Sequence, residues 1–466
     1  MSTLRPTRHP ARKSWRQLRL AGAFCLLSSP TLASAQALDR QYAVIRLETS
    51  EEESGASGIN SLSQVAAVVS GNPYIEPCVW ERGRYKRIGD TSGYNAGALD
   101  VSDAGVVVGF FEQADWHAVP FVWTRRSGGT IALPYLDGYD HGSANAVNNA
   151  GVIVGINRQY DTGAARAVQW VDGVVMELPN WGTWGGEAAD INEAGWIVGW
   201  LIDQDERWQP VLWHDGIITE LGALSEYSQR GEATGLNDVG QVTGWSRAGG
   251  YDHAFLWQDG EMVDIHDPPG SWYDNSYARA INNQTEIVGM LSDYPAGTAF
   301  IWCQERGMEE LVTYLPPSAH WTNLDQAWDI NDFGQIVGWG SRYDTTPWEH
   351  GYLMTPVYPT FTLDQPSPGV AGEVNMITAR NLMPGAKVYF AYSTAGGGAI
   401  IPKCDIVEAA LQIDDPMVAG TAIANANGVA RLTGKVPSKW SGQEVLIQAL
   451  IPSECDISNL IVVAFE

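Results

Sequence analysis

Carboxylates, amides and tryptophans are concentrated in a few variable loops of this 466-residue sequence. Flat aromatic rings can stack on sugar rings while neighbouring polar groups bond the hydroxyls, so together these residue types indicate a ligand-binding surface. The alternative is that the tryptophans only cover the ends of sheets. The candidate ligand-binding residues are Trp181, Trp184, Glu187, Trp272, Asp274, Trp321 and Asn323.

The residues that an enzyme would need occur in the same loops, but in no complete motif. No histidine has a partner histidine at the spacing of a metal site, and the carboxylates of 203–206 lack the glycine and the bidentate glutamate of a calcium loop. We find no G-x-S-x-G motif and no phosphate-binding glycine loop. The sequence therefore predicts no catalytic residue, no metal site and no cofactor. The loop histidines are His117, His141, His253, His266, His320 and His350.

A repeat of about 45 residues positions these loops. Each copy starts with the pattern A-x-x-I-N-x-x-G-x-I-V-G, continues through a variable loop, and ends with A-F-L-W-x-D-G-x-x-x-x-L. Self-similarity at such a period is typical of propellers and solenoids. The first half of the pattern occurs at Ile59-Asn60, Val101-Ser102, Val147-Asn148, Ile191-Asn192, Leu236-Asn237, Ile281-Asn282 and Ile330-Asn331.

Each copy is predicted to form four short antiparallel strands, a to d. The turn after strand a has Asn where a side chain can cap the backbone and Gly where φ must be positive. Asp172-Gly173, Asp215-Gly216 and Asp259-Gly260 indicate tight hairpins between strands c and d. Seven such units predict an all-β, seven-bladed β-propeller, with an open β-solenoid as the alternative. Tryptophans at one fixed repeat position are expected to pack between blades: Trp80, Trp123, Trp170, Trp213, Trp257 and Trp302.

The segment before the first repeat supplies a strand that the last repeat lacks. Repeat seven has no clear strand d after Tyr352-Leu353-Met354, whereas residues 42–47 alternate in polarity as the d strands do. We therefore expect residues 42–47 to pair with strand c of repeat seven. Such pairing would close the ring and remove two exposed sheet edges.

The repeat resembles a known bacterial family. The residues Ile191-Asn192-x-x-Gly195-x-Ile197-Val198-Gly199 and Ala254-Phe255-Leu256-Trp257-x-Asp259-Gly260 resemble the HAF-type extracellular repeat, over about two thirds of the chain. The departures are Ser102 for Asn, Met354 for Trp, and a first repeat without either turn glycine. The resemblance implies export and a repeated structure but no shared activity, so it supplies no catalytic residues.

The period stops at about Phe361, and shorter strand-like runs follow. We predict an immunoglobulin-like β-sandwich over residues 359–466, after a propeller over 36–358. Cys404 and Cys455 share this segment and are expected to form a disulfide, which an exported chain can keep. Cys78 and Cys303 belong to repeats one and six, which are not neighbours in a seven-membered ring, so they are expected not to be bridged.

The first 35 residues have the features of a secretory signal peptide. A basic stretch precedes the short apolar run LAGAFCLLS at 20–28, and Ala33-Ser34-Ala35 offers a cleavage site after Ala35. We therefore expect a secreted or periplasmic protein. No later segment is long and apolar enough to be transmembrane.

The negative charge of the protein limits the classes of macromolecule that it is expected to bind. The formal net charge of −26 makes this an acidic protein, and such a surface repels phosphate backbones, so a nucleic-acid partner is not expected. The sequence favours an exported, non-catalytic binding or interaction protein, with a glycan or an extracellular protein bound on the face that carries the long loops. The alternatives are a polysaccharide lyase or hydrolase that uses loop carboxylates and histidines, and a structural cell-surface protein.

Overall fold

The computed structural model describes residues 41–47, 53–70, 74–89, 94–183, 185–270, 273–293, 296–317, 319–343, 349–357, 360–401, 410–453 and 455–466. Within these ranges the chain is all-β, as the repeat pattern predicts. The helical segments that the structure describes are two short 3-10 turns at Leu311–Tyr314 and Ser438–Trp440. The predicted signal peptide lies outside the described residues.

The repeat region forms seven four-stranded antiparallel sheets, which we number one to seven in the order of the repeats. Strand β1 (Gln41–Arg46) precedes the first repeat. Sheets one to three consist of β2 (Ser54–Ile59), β3 (Val65–Ser70), β4 (Ile75–Glu81) and β5 (Arg84–Arg87); β6 (Ala96–Val101), β7 (Val107–Glu112), β8 (Ala118–Trp123) and β9 (Ile131–Ala132); and β10 (His141–Val147), β11 (Ile153–Arg158), β12 (Ala165–Val171) and β13 (Val174–Glu177).

Sheets four to six repeat this order. They consist of β14 (Gly186–Ile191), β15 (Ile197–Ile202), β16 (Trp208–His214) and β17 (Ile217–Glu220); β18 (Gly231–Leu236), β19 (Val242–Ala248), β20 (Tyr251–Gln258) and β21 (Glu261–Asp264); and β22 (Asn275–Ile281), β23 (Ile287–Asp293), β24 (Ala296–Cys303) and β25 (Gly307–Glu310). Sheet seven contains β26 (Trp321–Ile330), β27 (Ile336–Arg342) and β28 (Glu349–Val357), with β1 as its fourth strand.

The predicted pairing of the first strand with the last repeat is confirmed. β1 runs antiparallel to β28, with Tyr42 opposite Pro356 and Ile45 opposite Leu353. Tyr42 is fully buried and meets Tyr314 edge-on at 5.6 Å between ring centroids. Sheet seven therefore joins two segments that lie about 300 residues apart in the sequence.

The turns between strands a and b have the predicted chemistry. Asn192 Oδ1 accepts the backbone N–H of Trp196 at 2.9 Å, and Gly195 has a φ of +78°. The side-chain amide of each Asn also reaches the next sheet: Asn192 Nδ2 donates to Asn237 O at 3.1 Å, and Asn331 Nδ2 donates to Asn60 O at 3.0 Å. The last contact joins sheet seven to sheet one.

A β-bulge interrupts strand a in every one of the seven sheets. In sheet four, Ala188 pairs with Gly199 and Asp190 with Val198, so the residue between them has no partner on β15. A bulge of this kind turns the extra side chain in a new direction. The extra residues are Ser57, Leu99, Asn145, Ala189, Thr234, Arg279 and Trp328.

The bulge explains the last glycine of the G-x-I-V-G pattern. A Cβ placed on Gly199 would lie 2.0 Å from the carbonyl oxygen of Glu187, because the bulge pushes the strand a backbone into that space. The same approach, at 1.9–2.1 Å, occurs in sheets two, three, five, six and seven. The equivalent glycines are Gly109, Gly155, Gly244, Gly289 and Gly338.

Replacing Gly199 with Ala is expected to destabilise the protein. The new methyl group would meet backbone, which cannot rotate away, and overpacking of this kind costs about 3 kcal/mol. We expect thermal or urea unfolding of Gly199→Ala to show a clear loss, while Gly129→Ala unfolds like the parent, since a Cβ on Gly129 meets nothing within 4 Å. Equal midpoints for both variants would contradict the bulge explanation.

The C-terminal residues form two further sheets that share one hydrophobic cluster, which includes Phe361, Val388, Phe390, Val445 and Ile447. One sheet contains β29 (Thr362–Leu363), β30 (Val374–Arg380) and β35 (Ala430–Lys435). The other contains β31 (Lys387–Ser393), β34 (Met417–Ile423), β36 (Glu444–Ile451), β37 (Asp456–Ile457) and β38 (Ile461–Ala464), and a separate hairpin consists of β32 (Gly396–Ile400) and β33 (Ala410–Ile413).

The β32–β33 hairpin packs against the repeat sheets. A Cβ on Gly398 would lie 2.5 Å from the Ile45 side chain of β1, and Leu411 shares a hydrophobic cluster with Trp80. Cys404 lies outside the described residues, so its disulfide with Cys455 stays a prediction. No disulfide joins Cys78 to Cys303, which lie in sheets one and six.

Candidate functional site

The first strands of all seven sheets line one cavity of about 540 Å³, which we call the central cavity. Each bulge residue contributes to its wall. The bulges thus aim seven side chains from seven sheets into one space, which no regular strand pairing would do. The bulge residues are, in sheet order, Ser57, Leu99, Asn145, Ala189, Thr234, Arg279 and Trp328.

The residue type at the bulge position varies from sheet to sheet, whereas the residue before it does not vary. The residue before it is alanine in all seven sheets, with 0–2% of its surface exposed, because sheet packing leaves no room for a larger side chain. The bulge residue has a different identity in every sheet. Packing therefore does not fix this position, and a comparison of the repeats with one another would have found it from the sequence.

Glu187 lies on strand β14 in the wall of the cavity, next to hydrogen-bond donors. Its carboxylate accepts from Asn145 Nδ2 at 3.0 Å and from Arg158 Nη2 at 3.3 Å. Burial raises the pKa of Glu187, and the nearby Arg158 and Asn145 oppose that shift. This group of three residues joins strands from sheets three and four.

Glu232 and Arg279 lie on the wall formed by sheets five and six. Glu232 accepts a hydrogen bond from Trp245 Nε1 at 3.1 Å, and burial raises its pKa. The Arg279 guanidinium lies over the Trp328 ring, 4.5 Å from its centroid. Its Nε is buried and has no hydrogen-bond partner. Burial lowers the pKa of Arg279, while the charge of Glu232 opposes that shift.

A row of aromatic rings continues from the cavity towards the long loops. Trp200 and Trp208 stack with 4.7 Å between centroids, and Arg230 lies over Trp208 at 4.8 Å. A second cavity of about 390 Å³ shares Trp200, Trp208 and Arg158 with the central cavity. It is lined by residues 162–165 and by Gly185, which belong to the long loops of sheets three and four and their strand ends.

Three aspartates lie one residue beyond the bulge in sheets two, four and seven: Asp100, Asp190 and Asp329. Each carboxylate bridges two sheets through backbone N–H groups; Asp329, for example, accepts from Ile330 N at 2.8 Å and from Ile59 N at 2.7 Å. Burial raises the pKa of Asp100 to about 6, of Asp190 to about 7 and of Asp329 to about 8. Charge repulsion from Asp100 raises the pKa of Asp190 and of Asp329 further, and Asp190 also acts on Asp329.

Of the predicted ligand-binding residues that the structure describes, Glu187 lines the central cavity. Trp181 is half-buried and packs against the core between sheets three and four, and Asp274 is exposed. Asn323 donates to Gly297 O at 2.7 Å. Trp321 is 5% exposed and packs edge-on against Tyr352, and its placement in a variable loop is wrong, because β26 begins at Trp321 itself.

Trp184 and Trp272 lie outside the described residues, so their role stays a prediction. Their neighbours in sequence reach different places, since Gly185 lines the second cavity and Tyr273 packs on the core of sheet six. The predicted set is therefore not one cluster among the described residues. The residues that the sequence prediction missed are the bulge residues.

The loop histidines form pairs that the sequence spacing did not reveal. The rings of His253 and His266 stack at 4.0 Å, with His253 Nδ1 lying 2.8 Å from Asp264 Oδ2. His117 and His141 lie 6.4 Å apart between ring centroids. Among the residues that the structure describes, no group of three or more His, Cys, Asp or Glu side chains has the geometry to hold a metal ion.

Comparisons with known proteins show no family for this chain. No protein-family model and no curated protein matches it. Solved structures with some likeness include a Pyrococcus horikoshii acylaminoacyl peptidase, at 14% identity over 72% of this chain and 59% of that one, with a TM-score of 0.42. TolB from Acinetobacter baumannii has 13% identity over 58% of this chain and 62% of that one, with a TM-score of 0.36. An Aleuria aurantia lectin in complex with alpha-methyl-L-fucoside has 12% identity over 58% of this chain and 94% of that one, with a TM-score of 0.33.

The chain spans less than two thirds of the peptidase and of the Acinetobacter TolB. At these identities and TM-scores the likenesses carry no argument about this chain's fold or function. No helix in the described ranges has the length and apolar character needed to cross a membrane.

Proposed function

We propose that the seven sheets are the blades of a closed seven-bladed β-propeller over residues 36–358, followed by an immunoglobulin-like sandwich over 359–466. The β1–β28 pairing and the Asn331–Asn60 hydrogen bond support closure, because both join the ends of the repeat region. The HAF-type resemblance and export after cleavage at Ala35 belong to the same proposal. Both the resemblance and the export prediction rest on the sequence pattern.

We propose that this exported protein binds a saccharide in the central cavity. The observation that carries the proposal is the set of seven bulges, which aim seven different side chains into one cavity. Its volume of about 540 Å³ suits a small polar ligand rather than a protein surface, which needs a broad and shallow contact.

The cavity chemistry supports a saccharide in particular. Hydroxyl groups both donate and accept hydrogen bonds, and the wall offers acceptors at Glu187 and Glu232 and donors at Arg158 and Arg279. Trp328 adds an aromatic surface of the kind that packs against sugar rings. A purely apolar ligand would leave the buried Nε of Arg279 without a partner, which is costly.

The experiment is a glycan-array screen of the mature protein beside Ala189→Trp. Ala189 lies at a bulge, so an indole there fills the cavity without replacing a polar contact. We expect array signals for the parent that the variant loses, with both proteins melting at the same temperature. Signals that persist in Ala189→Trp would place the saccharide site outside the cavity.

A second candidate, saccharide hydrolysis or lyase chemistry, is favoured by one observation. Two carboxylates, Glu187 and Glu232, line the same cavity, and burial raises the pKa of each, as a general acid requires. Prolonged incubation with any array hit would then release new reducing or unsaturated ends. Glu232→Gln would abolish that release and keep binding, whereas an unchanged oligosaccharide would exclude this candidate.

A further inference from the structure

We infer that the ligand of the central cavity carries a carboxylate and that Arg279 binds it, which makes an acidic saccharide of the uronic-acid type the expected ligand. This inference rests on the proposed saccharide function and narrows it to one chemical class.

The first argument is that one donor of the Arg279 guanidinium lacks a partner. A guanidinium has five N–H donors, and Arg279 Nε is buried with no acceptor. Glu232 acts on Arg279 through charge and bonds Trp245 Nε1 instead. A buried donor without a partner costs free energy, so a native site keeps one for a reason.

The second argument is geometric. The Arg279 guanidinium lies over the Trp328 ring at 4.5 Å, so one face of its plane is covered. Its edge, which carries the N–H groups, is what remains for a ligand. A planar edge with parallel N–H donors matches a planar carboxylate in a bidentate pair.

The third argument is that, among the residues the structure describes, no carboxylate lies at ion-pair distance from Arg279. Glu187 pairs instead with Arg158, at 3.3 Å between Arg158 Nη2 and Glu187 Oε2. Glu232 acts on Arg279 through charge alone. A ligand carboxylate would supply the ion pair that Arg279 lacks.

The aspartates beyond the bulge do not supply the missing partner. Each of them uses its carboxylate oxygens on backbone N–H groups that join neighbouring sheets, as Asp190 does with Ile191 N at 2.7 Å and Leu236 N at 2.8 Å. In sheet six, the residue that follows Arg279 is Ala280. The row of aspartates therefore leaves Arg279 without a carboxylate partner.

The test is calorimetric titration of the full mature protein with three probes: a galacturonate trisaccharide, the galactose trisaccharide of the same linkage, and inorganic phosphate. We expect the acidic trisaccharide to bind at least tenfold more tightly than the neutral one at low salt, with the difference shrinking as salt is added. Arg279→Met keeps an apolar stem over Trp328 and is expected to remove the difference. Arg279→Lys should keep only part of the affinity difference, because an ammonium group cannot form a bidentate pair with a carboxylate.

The control variant is Arg125→Met, which removes an exposed arginine that pairs with Glu81 and should leave both affinities unchanged. Melting temperatures separate binding from structure: Arg279→Met should melt at or above the parent temperature, since it removes a buried donor that has no partner. A marked loss of stability would make Arg279 a structural residue and overturn the inference.

The remaining outcomes are distinct. Equal binding of both trisaccharides would overturn the carboxylate inference and leave saccharide binding standing. Binding of neither trisaccharide, together with an empty glycan array, would overturn both. Phosphate that competes as well as the acidic trisaccharide would show a general anion site and overturn the assignment to a carboxylate.

Discussion

Deletion of residues 36–48 is expected to abolish the cooperative unfolding of this protein. The deletion removes β1, whose Tyr42, Ala43, Val44 and Ile45 are 0–8% exposed, and uncovers the edge of β28. Burial of a large apolar side chain contributes about 1.5–3 kcal/mol, so the three larger residues account for much of a typical stability of about 5–15 kcal/mol. The exposed edge would also favour aggregation.

The measurement is circular dichroism during thermal unfolding, combined with size-exclusion chromatography. Addition of a synthetic peptide of residues 41–47 provides the control, because a missing strand supplied in trans should restore part of the transition. A deletion protein that melts like the parent and stays monodisperse would show that sheet seven is stable without β1, and closure of the ring would lose its main support.

A rise in pH from about 5 to 9 is expected to destabilise the folded protein through three partly buried aspartates. Burial raises the pKa of Asp100 to about 6, of Asp190 to about 7 and of Asp329 to about 8, above the value of about 4 in an unfolded chain. The folded state therefore binds more protons than the unfolded state in this range. The contribution of these aspartates to stability is fully present below the unfolded pKa and is lost as pH rises through the folded values.

The test replaces Asp329 with Ala, the residue that sheets three and six have at the same repeat position. The variant loses hydrogen bonds to Ile59 N and Ile330 N, which is a cost at every pH. It also loses the titration, so its melting temperature should change with pH by at least about 2 °C less than that of the parent. Asp205→Ala, at an exposed loop carboxylate, should keep the slope of the parent. Parallel pH profiles for Asp329→Ala and the parent would contradict the assignment.

The sequence predicted the elements whose signals are local. The Asn and Gly of the turns in sheets three, four, five and seven, and the positive φ of Asp172 and Gly173, follow directly from turn chemistry. The fixed tryptophans are also confirmed as core residues where they are most enclosed, as for Trp213, which is 2% exposed and donates to Pro179 O at 2.7 Å. The pairing of β1 was also predictable, because repeat seven lacks a strand d and the segment before the first repeat has the polarity pattern of such a strand.

The sequence predicted the candidate site less well than the fold, for physical reasons. A β-bulge adds one residue and shifts the hydrophobic alternation by one position, and within one short strand that shift is not distinguished from ordinary irregularity of the pattern. Arg279 and Trp328 therefore read as strand residues, although both line the cavity. The prediction instead selected tryptophans next to turns, and Trp321 shows the weakness of that choice, since the strand starts at that residue and buries its ring.

The central claim is that ligand binds in the cavity that the seven bulge residues line. Its most direct test is titration of one array-selected saccharide into the parent, Ala189→Trp and Trp181→Ala, with melting temperatures measured in parallel. We predict at least a tenfold loss of affinity, about 1.4 kcal/mol, for Ala189→Trp and a change of less than about twofold for Trp181→Ala. Parent-like binding by a folded Ala189→Trp, with binding lost in Trp181→Ala, would contradict the claim and place the site on the long loops.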